Sequence, residues 1–262
     1  MIRLCLPPCL LLAANLSVAA EIPAEIESCM KQNLPQSTSA QSIELRVVDR
    51  SHYEQVLEAD IFLKRFAEDQ ARVMMYFHEP VDVRGARFLI IEKQAQNDMY
   101  IFMPGLFKVR RITSKKISSS IMGTDFSYED FERIQGILSD ISAERLPDEQ
   151  LAGRPVYVLA SSPEEGSGYT RVSSYIDKQT CIPLKTELYE RGDHLRKQMT
   201  IEPGNIKQAG GIWYPTELLM QDLRDKTKTT LVVKNIRIGT EIDNALFEPE
   251  QLKKVDVPSL GP

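Results

Sequence analysis

The feature that most constrains this chain is an alternation of apolar and polar side chains that recurs at hairpin spacing. Ile43, Leu45 and Val47 alternate with polar residues, and Leu57, Ala59, Ile61 and Leu63 interleave with Glu58, Asp60, Phe62 and Lys64. A period of two sends successive side chains to opposite faces, so these segments are strands with a buried face. The runs 73–77, 88–91 and 99–103 are apolar at nearly every position, which predicts a sheet packed on one side and covered on the other. Later runs at 156–159, 169–177, 184–189, 195–201, 212–223 and 229–238 are separated by turn signals such as Arg191-Gly192-Asp193 and Pro203-Gly204-Asn205. The reading is a mainly β chain: one large, curved antiparallel sheet of about eleven strands, partly closed.

Two stretches depart from this period. Residues 23–34 read as a short helix, broken by Pro35 and the serine-rich segment after it. Ser127, with Asp130 three residues on, forms a capping-box-like start. Phe131, Ile134 and Leu138 then recur at helical spacing. Gly136 weakens that helix by about 1 kcal/mol relative to alanine, so an early end and a further strand near 141–146 are expected.

Residues 1–20 carry the marks of a cleavable export signal: Arg3, a short apolar run, and Val18-Ala19-Ala20 before Glu21. The run is shorter than the roughly 20 apolar residues of a membrane span. Cys5 and Cys9 come too early in it for lipid attachment. The expectation is a soluble exported protein, with residues 21–262 forming a single domain. Only Cys29 and Cys181 then remain, and two cysteines in an exported protein more often pair than stay free.

Composition bounds the chemistry. With 37 acidic against 32 basic residues, the net charge of −5 argues against nucleic acid, whose phosphates need a basic face. No cofactor, metal or catalytic residue is implied. Gly166-Ser167-Gly168 lacks the frame of a nucleophile elbow, and neither a phosphate loop nor H-E-x-x-H occurs. The acids of 122–130 lack calcium-loop spacing and read as a helix start whose carboxylates favour the helix dipole.

Two groups remain as binding candidates. Leu63, Met75, Phe77, Phe88, Tyr100, Phe102 and Trp213 are the candidate liners of an apolar cavity, should the sheet be concave and short of helices to fill it. Lys108, Arg110 and Arg111, with Lys115 and Lys116, form a basic cluster behind Leu106-Phe107. It would meet anionic headgroups or an acidic partner, or else pair internally with Asp125, Glu129 and Asp130.

The stretches 100–112 (YIFMPGLFKVRRI) and 121–130 (IMGTDFSYED) resemble the outer membrane lipoprotein-sorting proteins, the LolA-like periplasmic carriers. Pro80 to Gly85, Trp213 to Thr216 and Phe247 to Leu252 fit the same pattern. The resemblance implies an unclosed β-barrel whose apolar concave face, covered by helices, holds lipoprotein acyl chains or another lipid-like ligand in the periplasm. It implies exchange with an inner-membrane transporter and an outer-membrane acceptor, or a protein-binding adaptor role beside an RND-type transporter. Phe131, Ile134 and Leu138 are the lid candidates, with the N-terminal helix as the alternative.

Overall fold

The computed structural model describes residues 23–66, 70–94, 96–137 and 142–260. The export segment expected at 1–20 and the helix position Leu138 lie outside the described residues. Helix α1 (Ala24–Lys31) precedes a meander of six strands: β1 (Thr38–Val48), β2 (Glu54–Arg65), β3 (Ala71–Glu79), β4 (Arg87–Ile91), β5 (Asp98–Met103) and β6 (Lys108–Ile112). Helix α2 (Tyr128–Ile134) lies in the connection to β7 (Ser142–Leu151). A second meander follows: β8 (Arg154–Ser162), β9 (Arg171–Asp177), β10 (Pro183–Glu190) and β11 (His194–Thr200). A small hairpin of β12 (Ile206–Ala209) and β13 (Ile212–Pro215) then leads into β14 (Glu217–Asp222) and β15 (Thr227–Ile238).

Thirteen of these strands form one sheet, ordered β6-β5-β4-β3-β2-β1-β15-β14-β11-β10-β9-β8-β7. The pairing of β15 with β1 joins the two meanders, and β6 and β7 are left as the two edges. The alternation does not announce β6, and of β7 it announces only the start, expected near 141–146. Lys108-Val109-Arg110-Arg111-Ile112 reads as a basic loop, and the first part of β7 holds Glu144, Arg145, Pro147, Asp148 and Glu149. Edge strands carry charge and proline because their outer backbone groups face water and must not recruit another strand. Pro147 sits where the β7–β8 register shifts, the position a residue without an N–H tolerates.

Both faces of the first meander are buried, as its two-sided apolar runs require. Ile43, Leu57, Val73, Met75, Phe88 and Met99 belong to a core on the inner face, shared with Val172, Leu188, Met199, Met220 and Leu231 of the second half. The alternate positions Phe62, Met74, Leu89 and Phe102 pack under the C-terminal segment through Leu246, Phe247 and Leu252. That segment is clamped by long cations from the strands: Lys64 Nζ donates to the carbonyl of Ile242 at 2.7 Å, and Arg72 to that of Phe247 at 3.2 Å. Beyond the apolar contact, each bond satisfies a backbone carbonyl in a stretch with little ladder of its own.

Both expected helices form. In α2 the Ser127 hydroxyl accepts from Asp130 N and the Asp130 carboxylate accepts from Ser127 N, a complete capping box. The helix stops at Ile134, and Gly136 takes φ +67°, where a Cβ would also meet Leu34 Cδ2 at 2.5 Å. Glycine ends the helix here for both reasons.

Candidate functional site

Parity divides the seven candidate cavity residues between two faces. Leu63, Met75, Phe77 and Phe88 lie on the inner face, each at most 2 % exposed. Phe88 carries two aromatic neighbours from the α2 connection, with ring centroids 4.8 Å from Tyr128 and 5.8 Å from Phe131. Trp213 is half-buried against the same cluster. Tyr100 and Phe102 point the other way, into the core under the C-terminal segment. A run apolar on both faces gives no sign of which alternate positions turn inward, so sequence reasoning merged the two sets.

The α2 connection fills part of the inner face, and a buried polar network holds it there. Lys197 Nζ, on β11, donates to Asp130 Oδ2 at 2.8 Å and to the carbonyl of Asp125 at 2.7 Å. Tyr169 donates its hydroxyl to Asp130 Oδ1 at 2.8 Å. The Asp125 carboxylate accepts from the hydroxyls of Thr227 and Thr229 on β15. Burial, reinforced by the Asp130 charge, raises the Tyr169 phenol well above its usual range, so it remains a donor. Of the lid candidates on α2, Phe131 is buried in the core and Ile134 packs partly against it. α1 is tied differently. Ile26 is its one fully buried side chain, packed on Leu159 and Ile176. The Cys29–Cys181 disulfide and Asn33, which donates to Thr180 O and accepts from Trp213 N, complete the attachment.

Beside α2 a cavity of about 260 Å³ opens between the end of β6 and the loop at 163–167. Met99, Ile112, Ile117 and Ile137 supply its apolar wall, and Glu129 and Glu132 bring two buried carboxylates to it. Asn97 Nδ2 donates to Glu132 Oε1 at 2.8 Å, while Oε2 has no hydrogen-bond partner among the described residues. Glu129 accepts from the Ser167 hydroxyl and, at 3.0 Å, from Gly168 N. Burial is the main cause that raises both acids, and it pushes Glu132 up to about 7.

That shift has a measurable consequence. A carboxyl titrating at 4.5 unfolded and about 7 folded binds its proton more tightly in the native state, so stability falls as pH rises through that window. Glu132→Gln, isosteric with the protonated acid, is expected to raise stability near pH 8 by roughly 1–3 kcal/mol and to flatten the slope between about pH 5 and 8. Glu129, also raised by burial, leaves a residual slope of the same sign. Urea unfolding at the two pH values checks this, and an unchanged slope in the variant would contradict it.

The basic cluster does not pair with the acids near α2. Asp125 and Asp130 are taken by the threonines and Lys197, and Glu129 by Ser167 and Gly168. Arg111 instead meets Asp98, which also binds Lys93. Lys108 and Arg110 stand opposite Met103 and Ile101, on the inner side of the edge strand, and both are exposed. Sequence reasoning missed Lys197, Tyr169 and Glu132 as parts of the site. The one legible signal was the Ser127–Asp130 cap, which marks where the network converges.

A large antiparallel sheet, curled but unclosed, with a short helix laid on its inner face, is the LolA-like architecture of the outer membrane lipoprotein-sorting proteins. The chain is similar to a domain of that class from Vibrio parahaemolyticus, with 26% identity and a TM-score of 0.79 over 88% of this chain and 97% of that one. A DUF1329-family protein from Desulfovibrio piger shares the fold at 22% identity and a TM-score of 0.80, covering 87% of this chain and 96% of its own. A LolA superfamily protein from Nitrosomonas europaea does so at 19% and 0.67, covering 85% and 97%. Residues 69–254 match the family described as "Uncharacterized protein", and the chain belongs to that family. No curated protein matches the sequence. Among the described residues no helix is long and apolar enough to cross a membrane.

Proposed function

We propose that this chain is a periplasmic carrier, exported by residues 1–20, whose remaining residues act as one LolA-like domain. It binds lipoprotein acyl chains or another lipid-like ligand against the inner face. The observation that carries this reading is the continuous apolar inner face, from Leu63 and Met75 through Phe88 to Leu188 and Met220, in a sheet left open between β6 and β7. The likeness to a lipoprotein-sorting domain supports it. The mouth beside Met99 and Ile112 is where a ligand enters, its polar end near Asn97 and the glutamates. Burying a methylene contributes about 0.8 kcal/mol, so roughly ten of them supply about 8 kcal/mol before ordering costs, enough for micromolar binding. Donor and acceptor are an inner-membrane transporter and an outer-membrane partner.

Native mass spectrometry of protein purified without detergent from a periplasm tests this. The expected spectrum shows a bound lipid-sized adduct that is displaced by a fluorescent fatty acid. Protein that is empty throughout and takes up no acyl probe would overturn the carrier reading and favour a protein-binding adaptor on the same fold.

A further inference from the structure

The large apolar side chains that remain exposed are gathered at one end of the strands. Tyr53, Val56, Val81, Leu106, Phe107 and Leu223 are each at least 40 % exposed. The antiparallel pairings from β6 to β14 put the turns carrying all but Val56, at 49–53, 80–86, 104–107 and 223–226, at the same strand ends, and Val56 lies near that end of β2. Scattered singly, such residues need no explanation; gathered on one rim, they do. The β5–β6 turn is the most prominent part, with Phe107 74 % exposed. Its backbone is left-handed, φ +48°, a conformation that costs a residue other than glycine about 1 kcal/mol or more. A β-branched-free aromatic held out in water at a strained position points to a surface that uses it. The neighbouring turn bearing Val81 packs against this one, since a Cβ on Gly85 would stand 3.1 Å from Pro104 Cγ.

Charge then selects the partner. Although the chain is net acidic, the turn leads directly into Lys108 and Arg110, which are exposed and form no ion pair among the described residues. Of the acids close by, Glu79 is neutralised by Arg84, and Asp82 is exposed in the Val81 turn. Aromatic and aliphatic side chains beside free cations match the interface of a bilayer with anionic headgroups, where rings sit at headgroup depth and cations remain with phosphate.

We propose that the turn of Leu106 and Phe107, with Val81 beside it, docks reversibly on the surface of an anionic phospholipid membrane, with Lys108 and Arg110 holding headgroup phosphates. The geometry adds a path. Lys108 and Arg110 lie on the inner side of β6, and the next inner position on that strand is Ile112, in the wall of the cavity. A lipid drawn from the docked membrane would meet cations first and the apolar mouth second. The docking surface goes beyond the carrier reading and does not depend on what the inner face holds.

The test is co-sedimentation of the full mature chain with vesicles of phosphatidylcholine alone and of phosphatidylcholine mixed with phosphatidylglycerol, at low and high salt. The expected result is binding to the anionic vesicles that weakens with salt. Phe107→Asn, which tolerates the left-handed backbone but removes the ring, should weaken it about tenfold or more. The double variant K108E and R110E should weaken it at least as much. Thermal unfolding of both should match the parent, because the side chains are exposed. The adduct seen by native mass spectrometry should persist in Phe107→Asn, which separates failure of docking from failure of the carrier reading. No vesicle binding by the folded parent overturns the proposal. So does loss on charge reversal with none on Phe107→Asn, which would mark charge attraction to the headgroups without insertion of the turn.

Discussion

Replacing Lys197 by methionine is expected to lower the free energy of unfolding by about 3–5 kcal/mol, the cost of leaving a buried carboxylate without its cation. Methionine keeps the apolar stem and most of the length, so lost packing is a minor part of the effect. Lys197 is 8 % exposed and Asp130 2 %. The ammonium contacts the Asp130 carboxylate and the Asp125 carbonyl together. Tyr169 and the Ser127 amide still donate to Asp130, which limits the loss to this range. Asp130→Asn removes the charge that pairs with Lys197 and leaves one side-chain oxygen to accept where two did, and the double variant should be clearly less than additive. Urea unfolding measures all three. A loss under about 1 kcal/mol for Lys197→Met would mean that hydrogen bonds alone hold α2 in place. Because that network seats Tyr128 and Phe131 on Phe88, the variant should also expose the inner face, read as increased binding of an apolar dye.

The second large effect is expected from the disulfide. Cys29 and Cys181 are 152 residues apart in sequence. A crosslink closing a loop of that length restricts the unfolded chain strongly; native disulfides typically contribute about 2–4 kcal/mol, and the loop-entropy relation reaches about 5. In a chain of this size, that corresponds to a fall of about 5–10 °C in Tm for the double serine variant, or for the reduced protein. The effect has a local component. α1 buries Ile26 but little else, so without the crosslink its detachment competes with global unfolding. Limited trypsin digestion should therefore cut at Lys31 in the reduced protein well before the sheet unfolds, and calorimetry gives the global part. An unchanged Tm together with an unchanged digestion pattern would show that Asn33 and Ile26 suffice to hold the helix.

The two variants ask which element yields to a ligand. α2 is held at its N-terminal end by an ion pair and hydrogen bonds from Tyr169 just before β9, from β11 and from β15. α1 is held by Ile26 with Met30 beside it, a disulfide, an asparagine bridge and an exposed Glu25–Arg145 ion pair. On the carrier reading, the expected motion is a swing of α1 about its crosslink, with α2 staying in place. Dye exposure in the cysteine variant, set beside that in Lys197→Met, separates the two.

Much of the sheet was legible along the chain, for a physical reason. A strand with one buried face must alternate, and a turn between strands needs glycine, proline or asparagine, so β1, β2, β10 and β11 could be read directly. β6 could not, since a sheet edge has to carry charge and its sequence looks like a loop, and of β7 only the start near 141–146 was legible. The α2 cap was legible because both its partners lie within one turn. The second partner of the same Asp130, Lys197, lies 67 positions away and left no local trace.

Sequence alone determined the mainly β, antiparallel character, the capped helix with its glycine stop, and the two cysteines that join, while the expected count of about eleven strands falls short of the fifteen found among the described residues. These depend on residues close together in the chain or, for the cysteines, on the export reading that sets Cys5 and Cys9 aside. Only the tertiary structure decided that Tyr100 and Phe102 face away from Phe88, that the acids near α2 serve Lys197 and the threonines rather than the basic strand, and that the exposed apolar residues share one rim. Which face turns inward, which charges meet and which turns become neighbours follow from how thirteen strands stack and curl. Those choices are made by long-range packing, and a local period carries no record of them.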